Sequence, residues 1–374
     1  MEKAGFKRFE KEILCAKKID GMLISSPANM RSCSGFRGEG IVYVSRELKL
    51  VFTDSRYTIA ARQECPGFEI IQYKGNIYES WIKVLIGKTG EKENSDISIG
   101  YEDENMTVQT YHTILALLKK YELSEVKFVP VHKRLEGLRQ VKTPEEIRDI
   151  EKAEQIGDKA FEKIVEKIRE IRQSGKSLTE KQVAAWIEFY MKELGAENTS
   201  FDTIAASGIH SSMPHAIPTD KVLEEGDFLT MDFGCRVNGY CSDMTRTIVY
   251  GRATEKQKEI YEIVRKAQEA AIDAVRPGMK GCEVDAVARE MIREAGYGEC
   301  FGHSLGHSVG LMIHETPCFA PRDERVIEPG MVITVEPGIY VEGFGGVRIE
   351  DVVVITEDGC RNITDSPKEL IEIV

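Results

Sequence analysis

Two strand-like runs joined by Asn238-Gly239 constrain this fold more than any other feature of the chain. The stretch covers residues 228–249 and reads FLTMDFGCRVNGYCSDMTRTIV. Asn-Gly tolerates positive φ at both central positions of a tight turn, so the pattern predicts a two-residue β-hairpin. That turn places Asp232 opposite Thr245, with Asp243 diagonal to Asp232 on the same face. Two such carboxylates repel unless a positive charge lies between them, which a bound cation would supply; the alternatives are that both aspartates are exposed or that one belongs to a turn.

Length and composition narrow the class of protein. At 374 residues the chain suits two domains, and its 42% apolar and 30% charged residues are typical of a globular protein. A net charge of −12 argues against nucleic acid or an anionic membrane as a partner. No apolar run approaches the ~18–20 residues that span a bilayer. Nine scattered cysteines without a CxxC pattern, and no signal peptide, predict a cytoplasmic protein with reduced thiols.

Residues 1–132 read as an N-terminal α/β domain. Helical stretches near 77–87 and 106–122 alternate with strand candidates, which predicts a mixed sheet covered by helices. We expect a scaffold or lid, because no phosphate-binding glycine pattern occurs there. The candidate strands are Gly21–Ser26, Ile41–Ser45, Leu48–Thr53, Phe68–Tyr73, Ile97–Tyr101 and Lys127–Val131.

Residues 133–374 read as a second α/β (α+β) domain with an internal repeat. Thr143 and Thr254 each precede a long amphipathic run and have Glu or Gln three residues on, the signature of a capping box. A shorter helix follows each long one, from Thr179 and around 282–295. The order long helix, short helix, strand therefore occurs twice. We expect two pseudo-symmetric halves with helices outside, strands inside and a site between them.

Histidines and acidic residues concentrate in the second domain. Glu336 follows the apolar run Val332–Val335, and Glu350 lies between Ile349 and Val352. Carboxylates in such places are expected to be buried, and buried carboxylates need a partner. Each histidine alone is more often a packed residue than a ligand, but all of them together indicate a site. The five clustered histidines are His210, His215, His303, His307 and His314.

Four motifs in this order carry a family resemblance: MDFG…YCSDMTRT, GHSLGHSVGLMIHE, TVEPGIY and GGVRIED. They closely resemble the pita-bread metallopeptidases, which comprise the aminopeptidase P, prolidase, creatinase and methionine aminopeptidase families. SSPANMRSCSGFRGEG and VFTDSRYTIAARQE resemble the N-terminal domain of the aminopeptidase P and prolidase branch. The resemblance implies a creatinase/prolidase-type domain at 1–132 and a pita-bread catalytic domain at 133–374.

The resemblance also implies roles for individual residues. Asp243 and Glu350 would bridge two metal ions, and Glu336 would also move a proton. His215 and His314 would contact substrate and the transition state. His303, Tyr340 and Arg348 would line the substrate pocket or support it from beside the glutamates. The implied metal ligands are Asp232, Asp243, His307, Glu336 and Glu350.

Four carboxylates and one imidazole make a hard, oxygen-rich site. Such a site suits two divalent ions, Mn²⁺ first, with Co²⁺, Fe²⁺ or Zn²⁺ as alternatives. Two ions about 3.5–4 Å apart can hold a bridging hydroxide that attacks the scissile carbonyl. Glu336 would shuttle the proton to the departing nitrogen.

The expected activity is that of an Xaa-Pro aminopeptidase, acting on peptides with proline in second position. An Xaa-Pro dipeptidase (prolidase) is the alternative, and TDSRY in the first domain favours the aminopeptidase. Creatinase-like and methionine aminopeptidase activities fit the motifs less well. A non-catalytic binding module is a remote alternative, because all five implied ligands are present. The resemblance also implies a homodimer.

Overall fold

The computed structural model describes residues 7–89, 97–123 and 125–374. The chain forms two compact units, Met1–Arg139 and Gln140–Val374, and the boundary follows the predicted position 132 by a few residues. Each unit combines helices with sheets, which confirms the predicted α/β class. Among the described residues, no helix is both long and apolar enough to cross a bilayer.

The first unit contains six helices and six strands within its described residues. Its helices are α1 (Glu10–Cys15, π-helical), α2 (Pro27–Ser34), α3 (Thr58–Glu64), α4 (Ile77–Thr89), α5 (Val108–Lys120) and α6 (Arg134–Gly137). Its strands are β1 (Gly21–Ile24), β2 (Gly40–Ser45), β3 (Lys49–Thr53), β4 (Glu69–Gln72), β5 (Ser98–Tyr101) and β6 (Lys127–Pro130).

These strands form one mixed sheet in the order β4-β3-β2-β1-β5-β6. β2 pairs antiparallel with both β1 and β3, whereas β4, β5 and β6 are added in parallel. Separate apolar clusters, one around Val42 and one around Trp81, form the core of this unit. The predicted mixed sheet is therefore confirmed.

The second unit is built from four long helices and many short strands. Its helices are α7 (Pro144–Gln173), α8 (Glu180–Glu193), α9 (Glu255–Ala274) and α10 (Gly281–Glu294), with 3₁₀ turns at Gly208–Ser212 and Gly298–Cys300. Its first strands are β7 (Asn198–Thr199), β8 (Ile204–Ser207), β9 (Asp227–Phe233), β10 (Cys235–Val237), β11 (Tyr240–Cys241) and β12 (Met244–Tyr250). The later strands are β13 (Gly306–Ser308), β14 (Glu315–Phe319), β15 (Val332–Val335), β16 (Gly338–Val341), β17 (Gly345–Arg348), β18 (Asp351–Ile355), β19 (Cys360–Asn362) and β20 (Glu372–Ile373).

Two sheets of the second unit carry the internal repeat. The first has the order β20-β12-β9-β8, and α7 and α8 pack on it around Ile164 and Leu229. The second has the order β14-β13-β15-β18-β19, and α9 and α10 pack on it around Val264 and Ile333. Capping boxes begin α7 at Thr143 and α9 at Thr254, as predicted. Each half thus places a helix pair against one sheet.

The central hairpin has the predicted register. Asn238 and Gly239 have φ of 45° and 69°, as a tight two-residue turn requires. Asp232 pairs with Thr245, so the register predicted from the sequence is confirmed. A Cβ at Gly234 would lie 1.9 Å from the Ser242 carbonyl oxygen, so the two strands approach closely here only because this residue is glycine.

Candidate metal centre

Strand ends from both sheets bring five polar side chains to one place. Asp232 lies on β9, and Asp243 lies in the short break between β11 and β12. His307 lies on β13, Glu336 directly follows β15, and Glu350 lies between β17 and β18. Positions at strand ends let side chains from different strands converge, while the strands themselves remain paired. The site between the two halves that the repeat predicted is therefore present.

The convergence is close. Ligand atoms of Asp243, His307 and Glu350 all lie within 4.8 Å of one another. His307 Nε2 is 3.5 Å from Asp243 Oδ2 and 3.4 Å from Glu336 Oε1. Asp232 joins the group through Arg348, whose Nη2 donates to Asp232 Oδ2 at 2.5 Å. All of the implied ligands thus lie around one small volume.

Two of the carboxylates have one oxygen held and one oxygen free. Arg348 holds Asp232 Oδ2, and the Thr245 hydroxyl donates to Glu350 Oε2 at 2.7 Å. The other oxygens, Asp232 Oδ1 and Glu350 Oε1, are buried without a hydrogen-bond partner within the described part of the chain. Buried carboxylate oxygens normally have partners, so these two oxygens are suited to hold a cation.

The tautomer of His307 points the same way. Its Nδ1 lies 3.2 Å from the Ser308 carbonyl oxygen, which can only accept, so Nδ1 carries the proton. The lone pair of Nε2 then faces the carboxylates of Asp243 and Glu336. Two electron-rich groups at such distances repel unless a cation lies between them. Burial lowers the pKa of His307 to about 4, so the imidazole is neutral and ready to coordinate.

The protonation of the acidic residues shows how crowded the site is without a cation. Burial raises the pKa of Asp243 and of Glu350 well above their usual values, and the neighbouring carboxylates raise both further. Burial also raises the pKa of Glu336 to about 8, although Arg348 opposes this. A divalent cation would reverse this penalty, because it stabilises the charged form of each ligand. The residues present therefore fit divalent metal.

A hydrogen-bonded chain supports one side of the site. Arg348 donates from Nε to Thr245 Oγ1 at 3.0 Å and from Nη1 to Tyr340 OH at 2.8 Å. Tyr340 OH in turn lies 2.9 Å from His303 Nε2, and His303 Nδ1 lies 2.8 Å from the Ser304 carbonyl oxygen. Since that carbonyl fixes the proton on Nδ1, Tyr340 donates to Nε2. Arg348 and Tyr340 thus hold neighbouring side chains in place, as the resemblance allowed, and Arg348 also lines the cavity described next.

A cavity of about 520 Å³ opens over the five implied ligands. His215 and His314 are exposed within it, and the ring of His314 lies 4.5 Å from that of His307. His303 also lines the cavity, and burial lowers its pKa to about 4, so it is neutral. Apolar wall is supplied by Phe201, Ile204, Ala216, Ile217 and Ile313. The structure therefore brings His215, His303 and His314 to the same cavity as the predicted ligands, whereas His210 is not part of the cavity lining within the described residues.

The sequence did not reveal Thr334, Glu154 or Thr245 as residues that orient the ligands. Thr334 Oγ1 donates to Glu336 Oε1 at 3.2 Å and accepts from the His307 backbone N at 3.0 Å. Glu154 on α7 accepts the backbone N–H of Asp243 at 2.8 Å. Thr245 was visible only as the residue opposite Asp232 in the hairpin. Thr334 is the one polar residue of β15, which was the available signal for it, whereas Thr245 shares β12 with Arg246 and Thr247 and does not stand out in this way.

An α/β fold with a buried carboxylate and imidazole centre defines a metal-dependent enzyme. Metallopeptidase family M24 matches residues 148–357, and the Creatinase/Prolidase N-terminal domain matches residues 8–141. The chain belongs to metallopeptidase family M24 and carries both of these domains. It is 42% identical over 359 residues to the Xaa-Pro dipeptidase of Pyrococcus furiosus, which is 94% of this chain and 95% of that protein.

Solved structures agree with this assignment. An Xaa-Pro dipeptidase from Bacillus anthracis has a TM-score of 0.90 and 41% identity over 99% of both chains. An X-Pro aminopeptidase from Thermotoga maritima has a TM-score of 0.85 and 38% identity over 96% of this chain and 99% of that one. The second unit has the pita-bread fold, as predicted.

Proposed function

We propose that this metallopeptidase is an Xaa-Pro dipeptidase, which hydrolyses the bond between an N-terminal residue and a following proline. One observation supports a hydrolytic role most directly. At the floor of the cavity, the buried carboxylate oxygens Asp232 Oδ1 and Glu350 Oε1 lack partners within the described residues, so they can hold the metal that activates water. The substrate class is supported by the Pyrococcus furiosus and Bacillus anthracis proteins, which are named Xaa-Pro dipeptidases.

An Xaa-Pro aminopeptidase is the second candidate. It is the activity that the TDSRY motif favoured, and the similar Thermotoga maritima protein is named an X-Pro aminopeptidase. The two activities share a cleavage site and differ only in whether peptide continues beyond the proline. The names of the relatives favour the dipeptidase, and the assay below separates the two.

We propose that Asp232, Asp243, His307, Glu336 and Glu350 hold two divalent ions, with Mn²⁺ as the first choice because four of these ligands are carboxylates. When bound, such ions lower the pKa of water and polarise the scissile carbonyl group. Their ligands are held in place by the chain, since Thr245 orients Glu350 and Thr334 orients both Glu336 and His307.

Glu336 is the proposed proton carrier. Its carboxylate lines the cavity 3.4 Å from His307 Nε2, where it can accept a proton from the attacking water and pass it on. Glu336 takes one proton from the attacking water, whose oxygen bonds to the scissile carbonyl carbon. The same proton then passes to the proline nitrogen as the carbon–nitrogen bond breaks. The products are a free amino acid and a free proline imino group.

Histidines of the cavity wall complete the proposed site. His215 and His314 are exposed towards the cavity, where an imidazole N–H can donate to the carbonyl oxygen as negative charge develops on it. The acidic floor attracts the positive α-ammonium group of the substrate. Apolar residues such as Ile217 and Ile313 provide surface for the proline ring or for the residue before it.

The test uses the metal-stripped protein restored with Mn²⁺ on three substrates: Ala-Pro, Ala-Pro-Ala and Ala-Ala. Turnover of Ala-Pro alone is the expected result for a dipeptidase. Turnover of Ala-Pro-Ala would establish the aminopeptidase, and preference for Ala-Ala would overturn the proline requirement. Absence of turnover with metal bound would overturn the proposal.

The predicted homodimer and the cytoplasmic location stay predictions. Light scattering on the purified holoenzyme measures the mass of the particle directly. A mass equal to one chain would contradict the homodimer.

The choice of metal is tested separately, by comparing the activity of the same preparation restored with Mn²⁺, Co²⁺, Fe²⁺ or Zn²⁺.

A further inference from the structure

His210 was singled out in the sequence but has no part in the mechanism proposed above. It lies in the 3₁₀ turn Gly208–Ser212, and its side chain is only 28% exposed. Its Nδ1 lies 3.1 and 3.2 Å from the two carboxylate oxygens of Glu180, the first residue of α8. Glu180 is completely buried, so this pair is part of the interior of the second unit.

Glu180 collects donors from both ends of one segment. Ser207 donates to Oε1 from its backbone N at 2.7 Å and from its hydroxyl at 2.9 Å. Thr219 donates to Oε2 from its backbone N at 3.0 Å and from its hydroxyl at 2.6 Å. Burial alone would raise the pKa of Glu180, but the donors from Thr219 and Ser207 outweigh it and lower the pKa. One charged carboxylate therefore ties residues 207 and 219 together, and His210 ties the interior of the segment to it.

The segment between these anchors forms one wall of the cavity. Five consecutive residues in it, 214–218, line the cavity, and His215 is among them. Within the segment, Ser211 accepts from the Gly346 backbone N at 2.8 Å, and the Pro214 carbonyl accepts from Arg348 at 3.3 Å. The contacts at Glu180 nevertheless hold the segment most strongly, because several donors bind one buried charged carboxylate and hydrogen bonds to a charged group are stronger than neutral ones.

We propose that Glu180, acting with His210, is a positioning residue for the wall segment 207–219, and that it sets where His215 meets the substrate. The catalytic consequence rests on the proposed function, in which His215 contacts the reacting carbonyl. A displacement of about 1 Å in a group that contacts the transition state costs up to about 100-fold in rate. The competing explanation is that Glu180 only stabilises the N-terminus of α8, where an acidic side chain is favourable.

Paired substitutions separate positioning from helix stability. His210→Ala removes the interior anchor, whereas His210→Asn keeps an N–H that can reach Glu180. Glu180→Gln keeps the shape of the side chain but loses acceptor capacity for its donors. Asp323→Asn is the matched control, because Asp323 is also buried and accepts the Cys318 backbone N at 2.7 Å, but it lies outside the cavity lining that the structure describes.

The readouts are kcat and KM of the Mn²⁺-loaded enzyme, Mn²⁺ affinity by calorimetry, and amide hydrogen exchange in residues 208–218. We expect His210→Ala to lower kcat about 10-fold and Glu180→Gln about 10- to 100-fold, with unchanged Mn²⁺ affinity. Exchange should speed up within 208–218, and His210→Asn should restore most of the rate.

Equal loss in His210→Asn and His210→Ala, or equal loss in Asp323→Asn, would overturn the proposal. Should Glu180→Gln fail to fold, the His210 variants still decide, since His210 is partly exposed. Exchange does not depend on turnover. If the wild type fails to cleave Xaa-Pro substrates, unchanged exchange in His210→Ala would refute the anchor separately from the proposed function.

Discussion

Glu350 and Asp351 are neighbours in the chain, both are buried, and their surroundings are opposite. Asp351 accepts from Arg246 Nη2 at 2.7 Å, from Lys368 Nζ at 2.9 Å and from Asn362 Nδ2 at 2.7 Å. Glu350 has the Thr245 hydroxyl on one oxygen, while its other oxygen has no partner among the residues described. Within the part of the chain that the structure describes, cationic side chains contact Asp351 directly, and none contacts Glu350.

The pKa values follow this difference. Burial opposes ionisation of Asp351, but Arg246 and Lys368 outweigh it and lower the pKa of Asp351. Burial and the neighbouring carboxylates raise the pKa of Glu350 well above its usual value. A buried carboxylate that the chain neutralises by itself is structural, whereas one left without a cation has room for an external ion. Substitutions in the metal centre around Glu350 should therefore lower activity and metal binding, whereas substitutions around Asp351 should lower the free energy of unfolding.

The largest effect is a loss of activity, expected in the metal centre around Glu350. Asp243→Asn removes a proposed bridging ligand, so kcat should fall at least about 10³-fold, as for other residues that act as one catalytic unit. Bound Mn²⁺ should fall as well, while circular dichroism and the urea midpoint of the metal-free protein stay the same. Asp365→Asn, at an exposed aspartate, is the control. Full turnover of Asp243→Asn would show that the site is assigned wrongly.

The second largest effect is a loss of stability, expected on substitution of Asp351. Asp351→Asn leaves Arg246 and Lys368 without their full charge, and breaking a buried ion pair costs about 3–5 kcal/mol. Glu350→Gln should leave the free energy of unfolding of the metal-free protein unchanged or raise it, because it removes a repelling carboxylate. Urea unfolding of the two metal-free variants measures both values. Equal losses would remove the distinction between the two carboxylates.

Local sequence patterns predicted the parts of this site that depend on backbone geometry. The Asn238-Gly239 turn placed Asp232 opposite Thr245, and the apolar residues around Glu350 predicted its burial. The helix starts at Thr143 and Thr254 followed from capping boxes, whose bonds lie within four residues. Such features depend on neighbours in the chain, so they can be read from it.

The contacts that orient the ligands could not be predicted in this way. Thr245 meets Glu350 across 105 positions, and Arg348 meets Asp232 across 116. These pairs form only when strands that are far apart in the chain come together in the fold. A threonine in a strand has the same local sequence pattern whether or not its hydroxyl contacts a distant carboxylate. The family resemblance supplied the ligands by motif and placed Arg348 and Tyr340 beside the glutamates or in the substrate pocket, but it did not supply Thr245 or Thr334.

An intermediate effect tests whether orientation matters on the metal side. Thr245→Val removes the hydroxyl that holds Glu350 Oε2 and keeps the shape of the side chain. Loss of a contact that orients a metal ligand typically costs about 10- to 100-fold in metal affinity or activity, and we expect this range for Mn²⁺. Calorimetric titration of the metal-free enzyme measures it. Thr245→Ser retains the hydroxyl and should bind nearly as the wild type does; a weak Thr245→Ser would trace the loss to packing.

The smallest effect is a pH dependence with opposite signs on the two sides. The folded pKa of Glu336 is about 8, above the ordinary glutamate value, so its contribution to stability is present at low pH and is lost as pH rises through about 8. Asp351 has a lowered folded pKa, so its contribution is present above the ordinary aspartate value and is lost as pH falls. The free energy of unfolding of the metal-free enzyme should therefore fall by at least about 1.4 kcal/mol, the equivalent of one pKa unit, between about pH 5 and about pH 9.

Urea unfolding across this pH range measures the slope, which Glu336→Gln should flatten. Saturating Mn²⁺ should remove it too, because a cation stabilises the ionised carboxylates. A slope that persists with Mn²⁺ bound would place its origin outside the metal centre.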